Sequence, residues 1–135
     1  MTLFDFHAHF FARPFFEALA QQSPQAGEPS EKLDRVVEKT GIELPSADIA
    51  LHTRRWVDEL DRHGVEKMAA FASLPEEAAA VAEAARLAPD RLVPFTLVNP
   101  MVPDAPAKVE RLLSELGFRG VLMFPAMHHY SIDGP

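Results

Sequence analysis

The sequence predicts an α/β protein built on a parallel sheet, and three observations carry that prediction. Short apolar runs of strand length alternate with amphipathic stretches of helix length along the chain. Units that alternate in this way connect by right-handed crossovers, which makes their strands parallel. The residues best equipped for chemistry fall at the C-terminal ends of the apolar runs, where parallel α/β sheets gather their sites.

The first run lies at residues 3–8, inside "LFDFHAHF". Side chains alternate across a strand, so Leu3, Asp5, His7 and His9 are expected on one face and Phe4, Phe6, Ala8 and Phe10 on the other. Residues 11–45 then form a long excursion broken by Pro14, Pro24, Pro29, Pro45, Gly27 and Gly41. Short helices are expected near 14–21 and 30–39 within it. A longer helix follows, with Ile49, Trp56, Val57 and Leu60 on one face, Ser46 as its N-cap and Gly64 as its stop. "VEKMAAFA" is the second strand. The next helix starts with Ser73 and Glu76 spaced as a capping box and turns Ala78, Val81, Ala82 and Ala85 inward until Pro89.

"RLVPFTLV" is the third strand, although Pro94 cannot donate to a ladder and is expected near the strand start or at a bulge. A third helix carries Val109, Leu112, Leu113 and Leu116 on one face and stops at Gly117. "FRGVLMF" is the fourth strand, and residues 125–135 read as loop. One partial domain, 1–135, accommodates all of this, with the long insertion at about 11–45.

Composition narrows the function. Hydrophobic residues make up 47% and charged residues 24%, which fits an ordinary globular chain and excludes disorder throughout. A net charge of −7, with the Lys and Arg scattered, argues against a nucleic-acid partner. Without cysteine there is no disulfide, no thiolate nucleophile and no Cys-based zinc site. Histidine and the carboxylates remain as metal ligands. The N-terminus lacks the basic and apolar regions of a signal peptide, and no segment approaches a membrane span, so a cytoplasmic location is expected.

The site is expected where the strands end. His7 and His9 end strand one, Ser73 ends strand two, Asn99 ends strand three, and Phe124, His128 and His129 follow strand four. His-x-His on one strand face lets two imidazoles reach one divalent ion, with Asp5 able to orient a ligand by hydrogen bond. Such an ion supplies Lewis-acid chemistry. Phe10, Asn99, Phe124, His128 and His129 are the candidates for a substrate pocket. The His128–His129 pair reads equally as a solvated turn. Phe10, Phe11, Phe15 and Phe16 either line an apolar pocket or form a local core under the long loop. His52 and His63 read as surface or packing residues, Trp56 as core, and Arg119 as packing or pairing within the fold.

"FDFHAHF", "WVDELDRHGVEKMAAFAS", "APDRLVPFTLVNP" and "LGFRGVLMFP", in that order and spacing, resemble the amidohydrolase superfamily. The likeness is to its amidohydrolase-related branch of metal-dependent hydrolases and decarboxylases, of the aminocarboxymuconate-semialdehyde decarboxylase type. It spans nearly the whole chain and is weakest over 11–45. It implies the N-terminal half of a (β/α)8 TIM-like barrel, about four parallel strands with intervening helices. The metal lies at the C-terminal mouth, with His7 and His9 matching the strand-one ligand pair. Zinc is expected, with manganese or iron as alternatives, and a small carboxylate-bearing organic substrate. The family's later ligands, a histidine after strand five and an aspartate after strand eight, have no counterpart in the chain. The strand-four run "GVLMFP" has no lysine, which argues against a lysine-bridged two-metal site, and Phe124 stands where some relatives carry a histidine.

A complete barrel needs about 250 residues. The resemblance therefore implies an enzyme that is catalytically incomplete in this chain alone, needing a C-terminal barrel half or a second copy in a homo-oligomer. The competing reading is a non-catalytic half-barrel that assembles or binds through its open edges. A small nucleotide-binding α/β domain has only the alternation behind it, because no glycine-rich phosphate loop follows any strand.

Overall fold

The structure is a computed structural model that describes residues 2–133. Four strands, β1 (Leu3–His9), β2 (Val65–Ala72), β3 (Leu92–Leu97) and β4 (Gly120–Leu122), form one curled sheet in the order β1-β2-β3-β4. Every neighbouring pair is parallel. The connections carry α1 (Arg13–Gln22), α2 (Pro29–Thr40) and α3 (Ile49–Arg62) between β1 and β2. They continue with α4 (Ala78–Leu87) between β2 and β3, and α5 (Ala105–Ser114) between β3 and β4. A four-residue helix, α6 (Pro125–His128), follows β4, in a stretch expected to be loop.

The core lies between the sheet and its helices. Met68, Ala70 and Ala72 of β2 and Leu92 of β3 meet Leu60 of α3 and Val81, Ala84 and Ala85 of α4, with Phe10 and Phe118 at its margins. The run of alanines on β2 and α4 is what lets this helix sit close to the sheet. Burying side chains of this kind contributes roughly 25 cal/mol per Å² of apolar surface. The outer face of α5 is less well covered than its pattern predicts. Ala105 is buried and Leu112 packs on the core, but Leu113 and Leu116 are exposed.

Local chemistry moves several helix starts. Asp48, not Ser46, caps α3: its carboxylate accepts from the N–H groups of Ala50 and Leu51, while Ser46 Oγ accepts from Asp48 N–H. The expected Ser73–Glu76 box does not form. Leu74 takes the extended cap conformation and Pro75 begins a 3-10 turn, Pro75–Glu77, ahead of α4. The acid three residues after the cap is therefore Glu77, and its carboxylate accepts from Ser73 N–H.

Pro94 sits inside β3, opposite Ala70, not at the strand start or a bulge. Its carbonyl accepts from Arg119 N–H, so its nitrogen faces the β4 side. β4 begins one position higher, with Gly120 opposite Phe95. The missing donor thus falls below the start of a three-residue edge strand and costs no ladder bond between β3 and β4.

The alternation expected of β1 is interrupted. Asp5 is aligned with Met68 and Ala8 with Ala70, so one extra residue is held in β1 between them. Met68 and Ala70 face the core, whereas His9 is aligned with Phe71 on the opposite, inner face of the sheet. Asp5 therefore does not share a face with His9, and Phe6 does not share one with Phe10. Phe6 is 79% exposed and Phe10 is fully buried.

The inner face is lined by Phe71 and Phe95, whose ring centroids are 5.1 Å apart. Gly120 lies beneath Phe95, where an added Cβ would overlap the ring, with Phe95 Cδ1 at 2.7 Å. Gly120→Ala should lower the unfolding free energy in urea by about 1–3 kcal/mol. Phe95→Leu in the same background should recover part of that loss, and strict additivity of the two changes would show that the ring is not the obstacle.

Candidate functional site

The C-terminal edge of β1 and β2 brings three polar side chains together. His7 Nε2 and His9 Nε2 lie 3.3 Å apart, and His9 Nδ1 lies 2.7 Å from Ser73 Oγ. The bulge between Asp5 and Ala8 helps to set this arrangement. It places His7 next to the start of the shifted register, and Asp5 Oδ1 accepts from His7 N–H at 2.9 Å across it. Asp5 thus supports the backbone of the histidine segment, and its carboxylate bonds neither imidazole.

Aromatic rings bracket the pair. His7 stacks on Phe71 with centroids 4.7 Å apart, and His9 stacks on Phe11 at 5.3 Å with an interplanar angle of 13°. Phe11 does so from a left-handed backbone conformation, φ +51°, uncommon for a side chain of its size. Phe15 and Phe16 pack edge to face behind it, so these three phenylalanines form a local aromatic cluster beside the imidazoles.

The separation of the two nitrogens has chemical content. Two imidazole nitrogens bound to one tetrahedral zinc, each at roughly 2.0–2.1 Å, stand about 3.3–3.4 Å apart. The same spacing accommodates an Nε2–H donated from one neutral ring to the other. If His9 donates its Nδ1–H to Ser73 Oγ, its Nε2 carries the lone pair that a ligand requires. Burial, and then the neighbouring His7, holds the His9 imidazole below its ordinary protonation range, which favours the neutral, ligating form. The donor set therefore fits half of a metal site. Among the described residues no group of three or more His, Asp or Glu side chains is placed to hold an ion.

The other expected pocket residues are elsewhere. Phe10 is a core residue, not a pocket wall: its ring packs against His52 at 4.8 Å and Trp56 at 5.9 Å. Asn99 Oδ1 closes a turn by accepting from Met101 N–H. Phe124 caps α6, and its carbonyl accepts from His128 N–H. His128 Nδ1 is buried without a hydrogen bond, and His129 takes a left-handed conformation at the helix end. Among the described residues no side-chain hydrogen bond or ring contact joins these five to the His7–His9 pair.

One group, Glu77, escaped the sequence reading, and His52, read as a surface or packing residue, is a packing one. Glu77 is fully buried, with Oε1 accepting from Ala12 N–H at 2.6 Å and Oε2 from Ser73 N–H at 2.7 Å. Burial pushes its carboxyl above the usual range, and the N–H donors of Ser73, Ala12 and Phe11 oppose that push. His52, on α3, is buried and directs Nε2 at the Phe10 carbonyl, which also accepts from Trp56 Nε1 at 3.0 Å. The i, i+4 spacing of His52 and Trp56 was visible, but their shared acceptor is a tertiary contact. No family model, no curated protein and no solved structure matches this chain.

Burial is the main cause that lowers His52 from the ordinary imidazole value of 6.5. Its folded form prefers to stay neutral, so its contribution to stability is complete above that value and is lost as pH falls through the lower folded value. Glu77 runs the other way, its contribution being lost as pH rises through its raised value. His52→Gln retains a donor for the Phe10 carbonyl and removes the titration. The melting temperature of this variant should decline less than that of the wild type on acidification from neutral pH. Parallel declines would show that His52 does not titrate in the folded protein.

Proposed function

We propose that this chain is the N-terminal half of a (β/α)8 barrel of the amidohydrolase-related type. In this reading it is a metal-dependent hydrolase or decarboxylase acting on a small, carboxylate-bearing organic molecule. The observation that carries the proposal is the 3.3 Å separation of His7 Nε2 and His9 Nε2 at the C-terminal end of β1, which equals the spacing of two nitrogens on one tetrahedral ion. The parallel order β1-β2-β3-β4 and its curl support the barrel half.

His7 and His9 would hold a divalent cation, zinc foremost and manganese or iron with the same imidazole donors. Bound there, the ion supplies Lewis-acid polarisation of the substrate's oxygen. The residues of the chain do the rest. Ser73 orients His9 through Nδ1, and Phe71 and Phe11 fix the planes of the two rings. These aromatic rings also present an apolar wall suited to an unsaturated carbon skeleton. The remaining ligands come from a second barrel half, whether a C-terminal continuation or a second copy of this chain.

A second reading, a half-barrel that assembles without catalysis, is favoured by one observation: Leu3, Phe4 and Phe6 stand exposed on the edge strand β1. Metal binding separates the two. Titration of the metal-free chain with Co²⁺, followed by absorbance and calorimetry, should show binding that weakens at least about tenfold in His7→Ala and in His9→Ala. Affinity unchanged in both variants would remove the metal role. An unchanged oligomeric state in light scattering, alongside lost metal affinity, would separate ligation from assembly.

A further inference from the structure

The His9 ring is held from two directions by two different segments. Ser73, just after β2, meets its Nδ1 edge at 2.7 Å. Phe11, just after β1, covers its face. Both segments end on one side chain. Glu77 reaches out of the 3-10 turn and takes Ala12 N–H on Oε1 and Ser73 N–H on Oε2. Four contacts form a closed circuit: Glu77 to Ser73, Ser73 to His9, His9 to Phe11, and Phe11 through Ala12 back to Glu77.

We propose that Glu77 is a positioning residue for His9: its buried carboxylate clamps the ends of β1 and β2 so that His9 keeps Nδ1–H on Ser73 and presents an unprotonated Nε2 toward His7. The value of that tautomer for binding a divalent cation rests on the metal-pair reading above; the clamp itself does not.

The chemistry of the clamp is specific to a carboxylate. Two backbone donors converge on it, and only an ionised carboxylate offers two acceptors with no donor. Glutamine would turn an amide N–H₂ against Ser73 or Ala12, and aspartate is a methylene too short to span both. A buried carboxylate is costly to keep, which makes a general packing role a poor explanation of its presence. The backbone argues in the same direction. Phe11 occupies a sparsely populated region at φ +51°, a conformation that persists only where its surroundings over-determine it. The neighbour that the clamp fixes, Ala12, is fully buried, and the strained residue is the one whose ring lies on His9.

The test uses the full chain, metal-free, with ¹⁵N-labelled histidine, in the slightly alkaline range where imidazoles are neutral. Long-range ¹H–¹⁵N spectra report which ring nitrogen carries the proton. In the wild type, His9 should be the Nδ1–H tautomer. In Glu77→Gln, its two nitrogens should move toward the averaged shifts of mixed tautomers, while His52 keeps the Nε2–H that faces the Phe10 carbonyl. A merely structural role would disturb His52 as well or leave His9 alone. An unchanged His9 tautomer in a folded Glu77→Gln protein overturns the proposal.

Two further measurements stand if Glu77→Gln does not fold. In the wild type, the amides of Ala12 and Ser73 should exchange slowly and with equal protection, since one carboxylate holds both; unprotected exchange at either overturns the clamp. In Ser73→Ala, which leaves the clamp intact, His9 should lose its tautomer preference, and retention overturns the Ser73 link. Titration with Zn²⁺ then separates the two readings. A loss of affinity of about 10- to 100-fold in Glu77→Gln supports both. A tautomer that responds to Glu77 in a chain that binds no Zn²⁺ supports the clamp and sinks the metal pair. Zn²⁺ affinity that depends on His7 and His9 but not on Glu77 does the reverse.

Discussion

Glu77 has no ion-pair partner among the described residues and no exposed surface, yet its two oxygens hold the backbone where β1 and β2 leave the sheet. The arrangement is tolerable because hydrogen bonds to an ionised acceptor are short and strong, and because removing either donor would leave the other partner unsatisfied. Its consequence is geometric. The segment after β1 must turn sharply to start α1, and the segment after β2 must turn to start α4. One rigid side chain fixes both turns relative to each other. The helices on the outer face and the histidines on the inner face are therefore positioned from the same point.

The histidine pair shows how a strand defect can serve a site. A regular β1 would put Asp5, His7 and His9 on one face. The extra residue between Asp5 and Ala8 breaks that face and leaves Asp5 bonded to the His7 main chain. The loss of a carboxylate near the rings leaves His9 without a negative neighbour to favour its protonation. Burial, and then the neighbouring His7, hold His9 below its ordinary protonation range. The orienting partner of the ring is the neutral hydroxyl of Ser73, not an acid. The neutral form is the one that metal coordination and lone-pair chemistry both need.

Much of the fold was legible because periodicity carries it. β2 falls at 65–72 as its apolar run predicts, and the two helices of the excursion fall within a residue or two of their expected bounds. The inward positions Ala78, Val81 and Ala85 follow from helical spacing alone. What failed was set by tertiary geometry. Asp48 displaces Ser46 as cap because the chain enters α3 two residues later. Glu77 displaces Glu76 because Pro75 inserts a 3-10 turn. The bulge in β1 leaves no mark on its own sequence, since it depends on the register of β2.

The site was legible to the same degree and for the same reason. His7, His9 and Ser73 converge because parallel strands end together, a topological property that sequence order reveals. Phe10 could not be distinguished from Phe11 as a ring beside the site, because a single backbone turn sends the first into the core against His52 and Trp56 and the second over His9.

The inner face of the sheet ties these features to the larger architecture. Parallel sheets are ordinarily buried on both faces, and here the helices cover only one. Phe71 and Phe95 remain on the other side, with His7 stacked on the first, while β1 and β4 each offer an unpaired edge. In the barrel reading proposed above, strands added parallel to β4 and β1 would continue the existing curl and bring their own C-terminal ends to the mouth where His7 and His9 stand. Closure and completion of the donor set are then one event. In the proposed metal site the two imidazoles would supply the ligands of one strand, and the water-excluding wall that strengthens electrostatics at such a mouth would need the opposite side of a barrel. On the metal reading proposed above, the chain would hold half of a site, with His9 positioned through Glu77 and Ser73.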